Sequence, residues 1–129
     1  MTTATQTRRI VRAFLDARTS GDFAVAATCL APDFSFESPL MRIEDPSDYL
    51  ATQAGFHPLI RRLVMISELY GEGEATLLFD LESAGLVETQ RTAEHFTLAG
   101  GKIASILVIF DASEWRPLLT SIGVIPAVS

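Results

Sequence analysis

Glu94 is the residue of this chain that is best placed for acid–base chemistry. In the predicted strand 86–98 it shares one face with Thr92 and Phe96, because side chains alternate along a strand. A carboxyl group among apolar side chains has its pKa raised by desolvation, so it can act as a general acid or base. The alternative for the same position is a carboxylate that reaches solvent or pairs with an arginine.

Ser38 and His57 are the secondary candidates. Ser38 aligns with Phe34 and Phe36 on a short predicted strand, so its hydroxyl could bind a ligand or Glu94. No G-x-S-x-G motif or Ser-His-acid arrangement surrounds Ser38, so we do not expect a nucleophile, and a simple turn hydroxyl is the alternative. His57 follows the third predicted helix and can titrate near neutral pH, although a loop imidazole can equally be a packing group.

Apolar side chains accompany these polar candidates on the predicted faces. Those expected to contact a ligand are Phe14, Phe36, Phe79, Phe96, Ile106, Val108 and Phe110. Ordinary core packing is the alternative, because a sequence does not show whether the enclosed space exceeds the volume of its side chains. Three arginines have three alternative roles, which are pairing with acids on the sheet, lying at its edge, or forming an anion site: Arg61, Arg62 and Arg91.

The composition excludes several classes of protein. With 48% hydrophobic and 20% charged residues, the chain reads as a single folded domain over residues 1–129. A net charge of −6 argues against nucleic acid or an anionic membrane as a partner. The polar start shows no secretory signal, so we expect a cytoplasmic location. One cysteine, Cys29, and two histidines without ligand spacing predict no disulfide, no metal and no cofactor.

The first half of the chain predicts three helices. Apolar residues recur at helical spacing over 7–19, between charged flanks. Asp22 can cap a second, short helix, which we expect Pro32 to end. Asp45, followed by proline, can cap a third helix that runs to about Ala54.

The second half predicts a sheet. Segments rich in β-branched and aromatic residues, separated by short glycine-containing turns, are 59–70, 75–83, 86–98 and 102–110. An alternating pattern at 34–38 predicts one further short strand, before the third helix. A capping box over 111–114 then predicts a terminal helix that carries Trp115. Helices followed by an antiparallel meander indicate an α+β domain, with helices packed on one face of a curved sheet.

The last predicted strand is apolar on both faces. By alternation, Ala104, Ile106, Val108 and Phe110 share one face, whereas Ile103, Ser105, Leu107 and Ile109 share the other. Helices can cover only one side of this sheet, and a bare apolar row on the other side is unfavourable in water. We therefore expect a homodimer through the outer face of the sheet.

Several stretches carry a family resemblance: FLDARTSGDF at 14–23, LAPDFSFESP at 30–39, EHFTLAGGKI at 94–103 and IFD at 109–111. Together with the order of elements, they resemble the nuclear transport factor 2-like superfamily, and within it the SnoaL-like, polyketide cyclase-like branch. The resemblance implies a cystatin-like α+β barrel in which the curved sheet and the N-terminal helices form a cone. The open end of that cone is expected to be an apolar pocket.

The resemblance to ketosteroid isomerases within this superfamily tests one activity. Ser38 stands where those enzymes have their base, Phe14 where they have a tyrosine donor, and Glu94 where they have an aspartate donor. Losing one oxyanion donor alone reduces the rate roughly 10²–10³-fold, so steroid isomerisation by that mechanism is excluded. Val108 replaces the last-strand acid of the epoxide hydrolases. Asp111 lies near the acid of the cyclases, but a helix cap is its alternative role.

Two classes of function follow. The first is a dimeric domain that holds a small hydrophobic molecule, with Glu94 and Ser38 as candidate catalytic groups for cofactor-free cyclisation, isomerisation or hydration. The second is a non-catalytic module for dimerisation or partner binding, with a filled pocket. A cavity that touches Glu94 would favour the first.

Overall fold

The computed structural model describes residues 2–125, so Met1 and residues 126–129 of the predicted domain lie outside the described part. The helices are α1 (Ala4–Ser20), α2 (Phe23–Thr28), α3 (Pro46–Phe56) and α4 (Trp115–Ser121). The strands are β1 (Leu30–Glu37), β2 (Arg42–Ile43), β3 (Ile60–Tyr70), β4 (Glu74–Ser83), β5 (Gln90–Ala99) and β6 (Lys102–Ile109), and a 3₁₀ turn at His57–Leu59 precedes β3.

All six strands form one curved sheet in the order β2-β1-β6-β5-β4-β3. Strands β3 to β6 are the predicted antiparallel meander, whereas β1 runs parallel to β6 and antiparallel to β2. Helices α1 to α3 pack on the concave face, which confirms the predicted α+β cone. The sheet is open, with β2 and β3 at its edges, and does not close into a barrel.

Both ends of helix α1 are capped by side-chain or glycine geometry. Thr3 and Gln6 form a capping box, so the helix starts a few residues earlier than the apolar pattern predicts. The helix ends at Gly21, whose φ of +81° is readily accessible only to glycine. A Cβ atom there would lie 2.9 Å from Cε1 of His57, so the end of α1 and the imidazole fit closely together.

The connection from α2 into the sheet differs from the prediction. Helix α2 ends at Thr28, and the chain enters β1 at Leu30, so Pro32 lies within a strand instead of ending the helix. The pairing of β1 with β6 is irregular between Leu30 and Ser35. Proline has no N–H for the ladder, and such an irregularity is where a strand tolerates it.

A β-bulge changes the faces of β6. The pairing of β5 with β6 shifts register between Thr97 and Leu98, and a shift of one residue exchanges the two faces of a strand. Ile103 is therefore fully buried, and its predicted place on the outer face is wrong. Beyond the bulge the alternation holds, and Leu107 and Ile109 are 39% and 61% exposed.

The predicted capping box before α4 does not form. Oδ1 of Asp111 accepts hydrogen bonds from the backbone and the hydroxyl of Ser113, at 2.9 and 2.5 Å. The carboxylate of Glu114 instead accepts from the backbone N–H groups of Val87 and Glu88, at 2.8 and 3.1 Å. These bonds hold the segment before β5 as a turn, so β5 starts later than the sequence pattern predicts.

We expect Glu114 to make the turn before β5 sensitive to acid. The hydrogen bond from the backbone of Val87, together with those from Glu88 and Gln90, lowers the pKa of Glu114. A group with a lowered pKa stabilises the folded state above its unfolded pKa, about 4.3 for glutamate, and loses that contribution as the pH falls through the folded value. Hydrogen exchange should show Val87 and Glu88 losing protection below that range.

The variant Glu114→Gln should reproduce this loss at neutral pH, because an amide has only one acceptor oxygen for these donors. Asp111→Asn is the matched control, since Asp111 bonds only within its own turn and should leave both amides protected. Unchanged protection of Val87 and Glu88 in Glu114→Gln would contradict the assigned role.

Candidate functional site

A cavity of about 440 Å³ opens at the wide end of the cone. Its walls come from β1, β3, β4, β5 and β6, and the end of α1, the loop after β1, α3 and α4 complete its lining. Small-molecule pockets typically measure roughly 300–1,000 Å³. The cone is therefore wider than its own side chains fill at this end.

The structure divides the predicted site residues into two groups. Those that line the cavity are Phe36, Ser38, His57, Phe79, Glu94, Val108 and Phe110. Phe14, Phe96 and Ile106 do not line it and are at most 1% exposed. The rings of Phe14 and Phe96 pack edge to face at 6.2 Å, so α1 fills the cone at their level and leaves no room for a ligand.

Glu94 is held by an arginine at the inner end of the cavity. Both of its carboxylate oxygens accept hydrogen bonds from Arg18, at 2.7 Å each, in a bidentate pair. Nη1 of Arg18 also donates to the hydroxyl of Tyr49 at 3.2 Å. The Glu94 and Arg18 side chains are only 3% and 14% exposed. Glu94 is thus a paired carboxylate, the alternative that the sequence left open, and not a lone carboxyl group among apolar side chains.

The sequence analysis missed Arg18, which it treated as part of the charged flank of the first helix. A signal was present, because Arg18 follows Phe14 by four positions and Val11 by seven, the spacing of one helix face. Val11 and Phe14 are fully buried, and the guanidinium carbon of Arg18 lies 5.2 Å from the centre of the Phe14 ring. An arginine on the apolar stripe of a helix points to a buried partner.

The electrostatics of this cluster fix the protonation states of Arg18 and Tyr49. Burial by itself would lower the pKa of Arg18, but the Glu94 carboxylate and the Tyr49 hydroxyl outweigh it, and the pKa is raised. Burial raises the pKa of Tyr49 to about 12, an effect that Arg18 opposes only in part. At neutral pH the guanidinium is charged and the phenol is protonated.

Arg18 retains donors for a ligand. An arginine side chain has five N–H donors, and three of those of Arg18 are engaged by Glu94 and Tyr49. The remaining donors, on Nε and Nη2, have no acceptor within residues 2–125. Because Arg18 lines the cavity, these donors are its candidates for hydrogen bonds to a bound molecule.

Ser38 and His57 line the cavity but are engaged with the backbone. The Ser38 hydroxyl oxygen accepts hydrogen bonds from the backbone N–H groups of Leu40 and Met41, at 3.2 and 3.3 Å. Ser38 is thus the turn hydroxyl that the sequence analysis gave as its alternative. Nε2 of His57 lies 3.1 Å from the carbonyl oxygen of Thr19, and its ring packs edge to face on Phe23 at 5.9 Å. Both residues shape the rim of the cavity.

Three aromatic side chains surround the mouth of the cavity, and one of them, Phe110, is among the predicted ligand contacts. Trp115, at the start of α4, packs edge to face on Phe56 of α3 at 5.7 Å and on Phe110 at 6.2 Å. All three residues line the cavity. The sequence predicts α4 itself, but its position across the open end of the cone depends on long-range packing.

Two kinds of site are not found in the part of the chain that the structure describes. No group of three or more His, Cys, Asp or Glu side chains is arranged to hold a metal ion. No helix there is both long enough and apolar enough to cross a membrane.

The comparison with known families identifies the domain. Residues 11–106 match the SnoaL-like domain family. The chain belongs to this family. The matched segment includes Arg18, Tyr49, Glu94 and the inner walls of the cavity. Trp115 and α4 lie beyond the matched segment.

Solved structures agree with the SnoaL-like assignment. An NTF2-like protein of unknown function from Cytophaga hutchinsonii is 25% identical, with 88% of this chain and 94% of that chain covered and a TM-score of 0.74. A protein from Kribbella flavida is 24% identical, with 89% of this chain and 94% of that chain covered and a TM-score of 0.77. An LEH-like epoxide hydrolase from M. tuberculosis is 18% identical, with 92% of this chain and 96% of that chain covered. Its TM-score of 0.71 shows a shared fold. Comparison with curated protein sequences gives no match.

We predict that the SnoaL-like fold of this chain depends on the pairing of Arg18 with Glu94. Arg18→Met leaves a buried carboxylate without a partner, and removing one member of a buried pair lowers the free energy of unfolding by about 3–5 kcal/mol. Arg18→Met combined with Glu94→Met should recover much of that loss, because an apolar pair of similar volume needs no compensating charge. Urea unfolding measures both effects. A double variant as unstable as the sum of the two single variants would show that the residues act independently.

Proposed function

We propose that this SnoaL-like domain binds a small, predominantly apolar molecule, and that Arg18 donates hydrogen bonds to an oxygen atom of that molecule. The observation that carries the proposal is the cavity of about 440 Å³, with mostly apolar walls and the Arg18–Glu94 pair at its inner end. A few polar groups in an otherwise apolar pocket fix the orientation of a ligand. The pair is neutral as a unit, so it suits a carbonyl or hydroxyl oxygen.

The same arrangement supports cofactor-free chemistry on a carbonyl compound. A guanidinium aimed at a carbonyl oxygen stabilises negative charge that develops there. Glu94 holds that guanidinium in place and is the carboxylate closest to it, so it is our candidate for accepting and returning a proton during cyclisation, isomerisation or hydration. Ser38 would contact the ligand at the rim. Binding does not require this chemistry and is tested by itself.

Binding in the cavity can be tested with nile red, a neutral apolar dye whose fluorescence rises in an apolar environment. We expect the protein to bind the dye and Val108→Phe to lose that binding, because Val108 lines the cavity and a larger ring fills it. Leu107→Phe is the matched control, since it adds the same ring at the next position of β6, on the outer face. Native mass spectrometry of freshly purified protein should show a retained small molecule that Val108→Phe lacks.

Two results would contradict the proposal. One is dye fluorescence that is the same for the natural chain and Val108→Phe, which would place the dye outside the cavity. The other is a natural chain that neither retains a small molecule nor binds the dye. Either result would leave the second candidate function as the better interpretation.

The second candidate function is homodimerisation through the outer face of the sheet. It is favoured by apolar side chains that this face exposes to solvent, namely Val64, Ile66, Leu69, Leu107 and Ile109, which are 39–66% exposed. Strand pairing sets Leu78, Ala93 and Ile109 in one row across the sheet. His95 lies beside that row, with Nδ1 2.7 Å from Oγ1 of Thr76. A second copy of the chain would remove this surface from water.

Sedimentation velocity tests the dimer. We expect a dimer at micromolar concentration, and Ile109→Glu should shift it to a monomer because the interface would bury an unpaired carboxylate. Val25→Glu is the matched control, since Val25 is an exposed apolar residue of α2 and lies away from the sheet. A monomer for the natural chain, or an equal shift in both variants, would contradict this interface.

A further inference from the structure

The charge of the cavity lining is opposite to that of the chain. The chain has sixteen acidic and ten basic residues and a net charge of −6. The lining nevertheless includes Arg18, Arg61 and Arg62, and Glu94 is its one acidic residue within residues 2–125. A cleft with low-dielectric walls concentrates the field of the charges that line it. This cavity therefore attracts anions, although the protein as a whole repels them.

Ion pairing among residues 2–125 leaves one of these arginines without a partner. Arg18 is neutralised by Glu94, at 2.7 Å. Arg62, on the edge strand β3, has a carboxylate oxygen of Glu82 on β4 at 4.0 Å. Arg61 has no carboxylate within that distance among the residues that the structure describes. Within residues 2–125, the unpaired cation of the site is thus the guanidinium of Arg61.

Backbone geometry accounts for the position of Arg61. Ile60 pairs with Ser83 and Arg62 pairs with Glu82, so Arg61 is the extra residue of a β-bulge at the start of β3. A bulge re-aims the side chain that it carries. Arg61 is exposed and also lines the cavity, so it lies at the rim, next to apolar walls.

We propose that the molecule bound in the cavity is an amphipathic monocarboxylic acid, with its apolar body inside the cone and its carboxylate on Arg61 at the rim. This inference rests on the proposed function and specifies the chemical class of its ligand. One unpaired guanidinium matches one negative charge, and its planar fork matches a carboxylate. A doubly charged phosphate would keep one charge without a partner.

The orientation of the ligand follows from the two ends of the cavity. At the inner end Arg18 is paired with the carboxylate of Glu94. A second carboxylate there would be repelled by the negative charge of Glu94. At the rim no acidic residue lines the cavity beside Arg61 in residues 2–125. The acid group of the ligand therefore points outward, and the inner donors of Arg18 remain for a neutral oxygen.

The inference is tested by displacement of nile red with decanoate and with decanamide, which have the same tail and a similar head but differ in charge. At low ionic strength we expect decanoate to displace the dye at a concentration about fivefold lower, the effect of one partly exposed ion pair. Arg61→Gln should abolish that difference. Added salt should reduce the preference, because it screens exposed charges.

Arg8→Gln is the matched control, because it makes the same change in net charge on the exposed surface of α1, outside the cavity lining. It should keep the preference for decanoate. Equal potency of the two compounds on the natural chain, or a preference that survives Arg61→Gln or is lost equally in Arg8→Gln, would overturn the inference. Failure of both compounds to displace bound dye would also overturn it. In all these cases dye binding that Val108→Phe abolishes would still support the proposed function.

Discussion

The buried pair between Arg18 and Glu94 connects the helical layer of this domain to its sheet. Arg18 is in the last turn of α1, where a positive charge is favourable for the helix dipole, and Glu94 is in the middle of β5. Tyr49 brings α3 to the same point through its hydrogen bond with Arg18. Two charges removed from water stabilise a fold only when each finds its partner in good geometry. The register of α1 on the sheet must therefore satisfy this one contact.

The same helix sets the boundary between core and cavity. At Phe14 the cone is closed, since the ring is fully buried and packs on Phe96 and near Tyr49. One turn later, at Arg18, the helix faces open space, and it stops at Gly21. The sheet continues beyond that point, where α3 and the loop after β1 line the concave side without filling it. Helix α4 and Trp115 come from the other end of the chain and cover part of the opening.

The two faces of the sheet thus serve different purposes in our proposals. The concave face supplies the cavity walls, with polar groups at the inner end and at the rim. The convex face presents an apolar row that suits a second copy of the chain. Bulges make this division possible, because they change which residues face inward. One of them turns Ile103 into the core, and another places Arg61 at the rim.

The secondary structure was largely predictable from local signals. The pattern over 75–83 predicted β4, and Phe79, one of the predicted ligand contacts, lines the cavity. The helical pattern of α1 was visible as well. Irregularities in strand pairing were not visible in the sequence, because a bulge depends on the neighbouring strand and has no sequence periodicity of its own. This is why Ile103 was assigned to the wrong face.

For the site, the sequence by itself determined the types of residue that converge: a carboxyl at Glu94, a hydroxyl at Ser38 and aromatic side chains around them. Only the tertiary structure decided that Glu94 has Arg18 as its partner, that Phe14 is core and that Phe36 lines a cavity. Strand and helix periods fix which face a residue occupies. Packing between residues far apart in the chain sets the point at which a helix ends over the sheet. The position of that end determines whether a face of the sheet is filled or open.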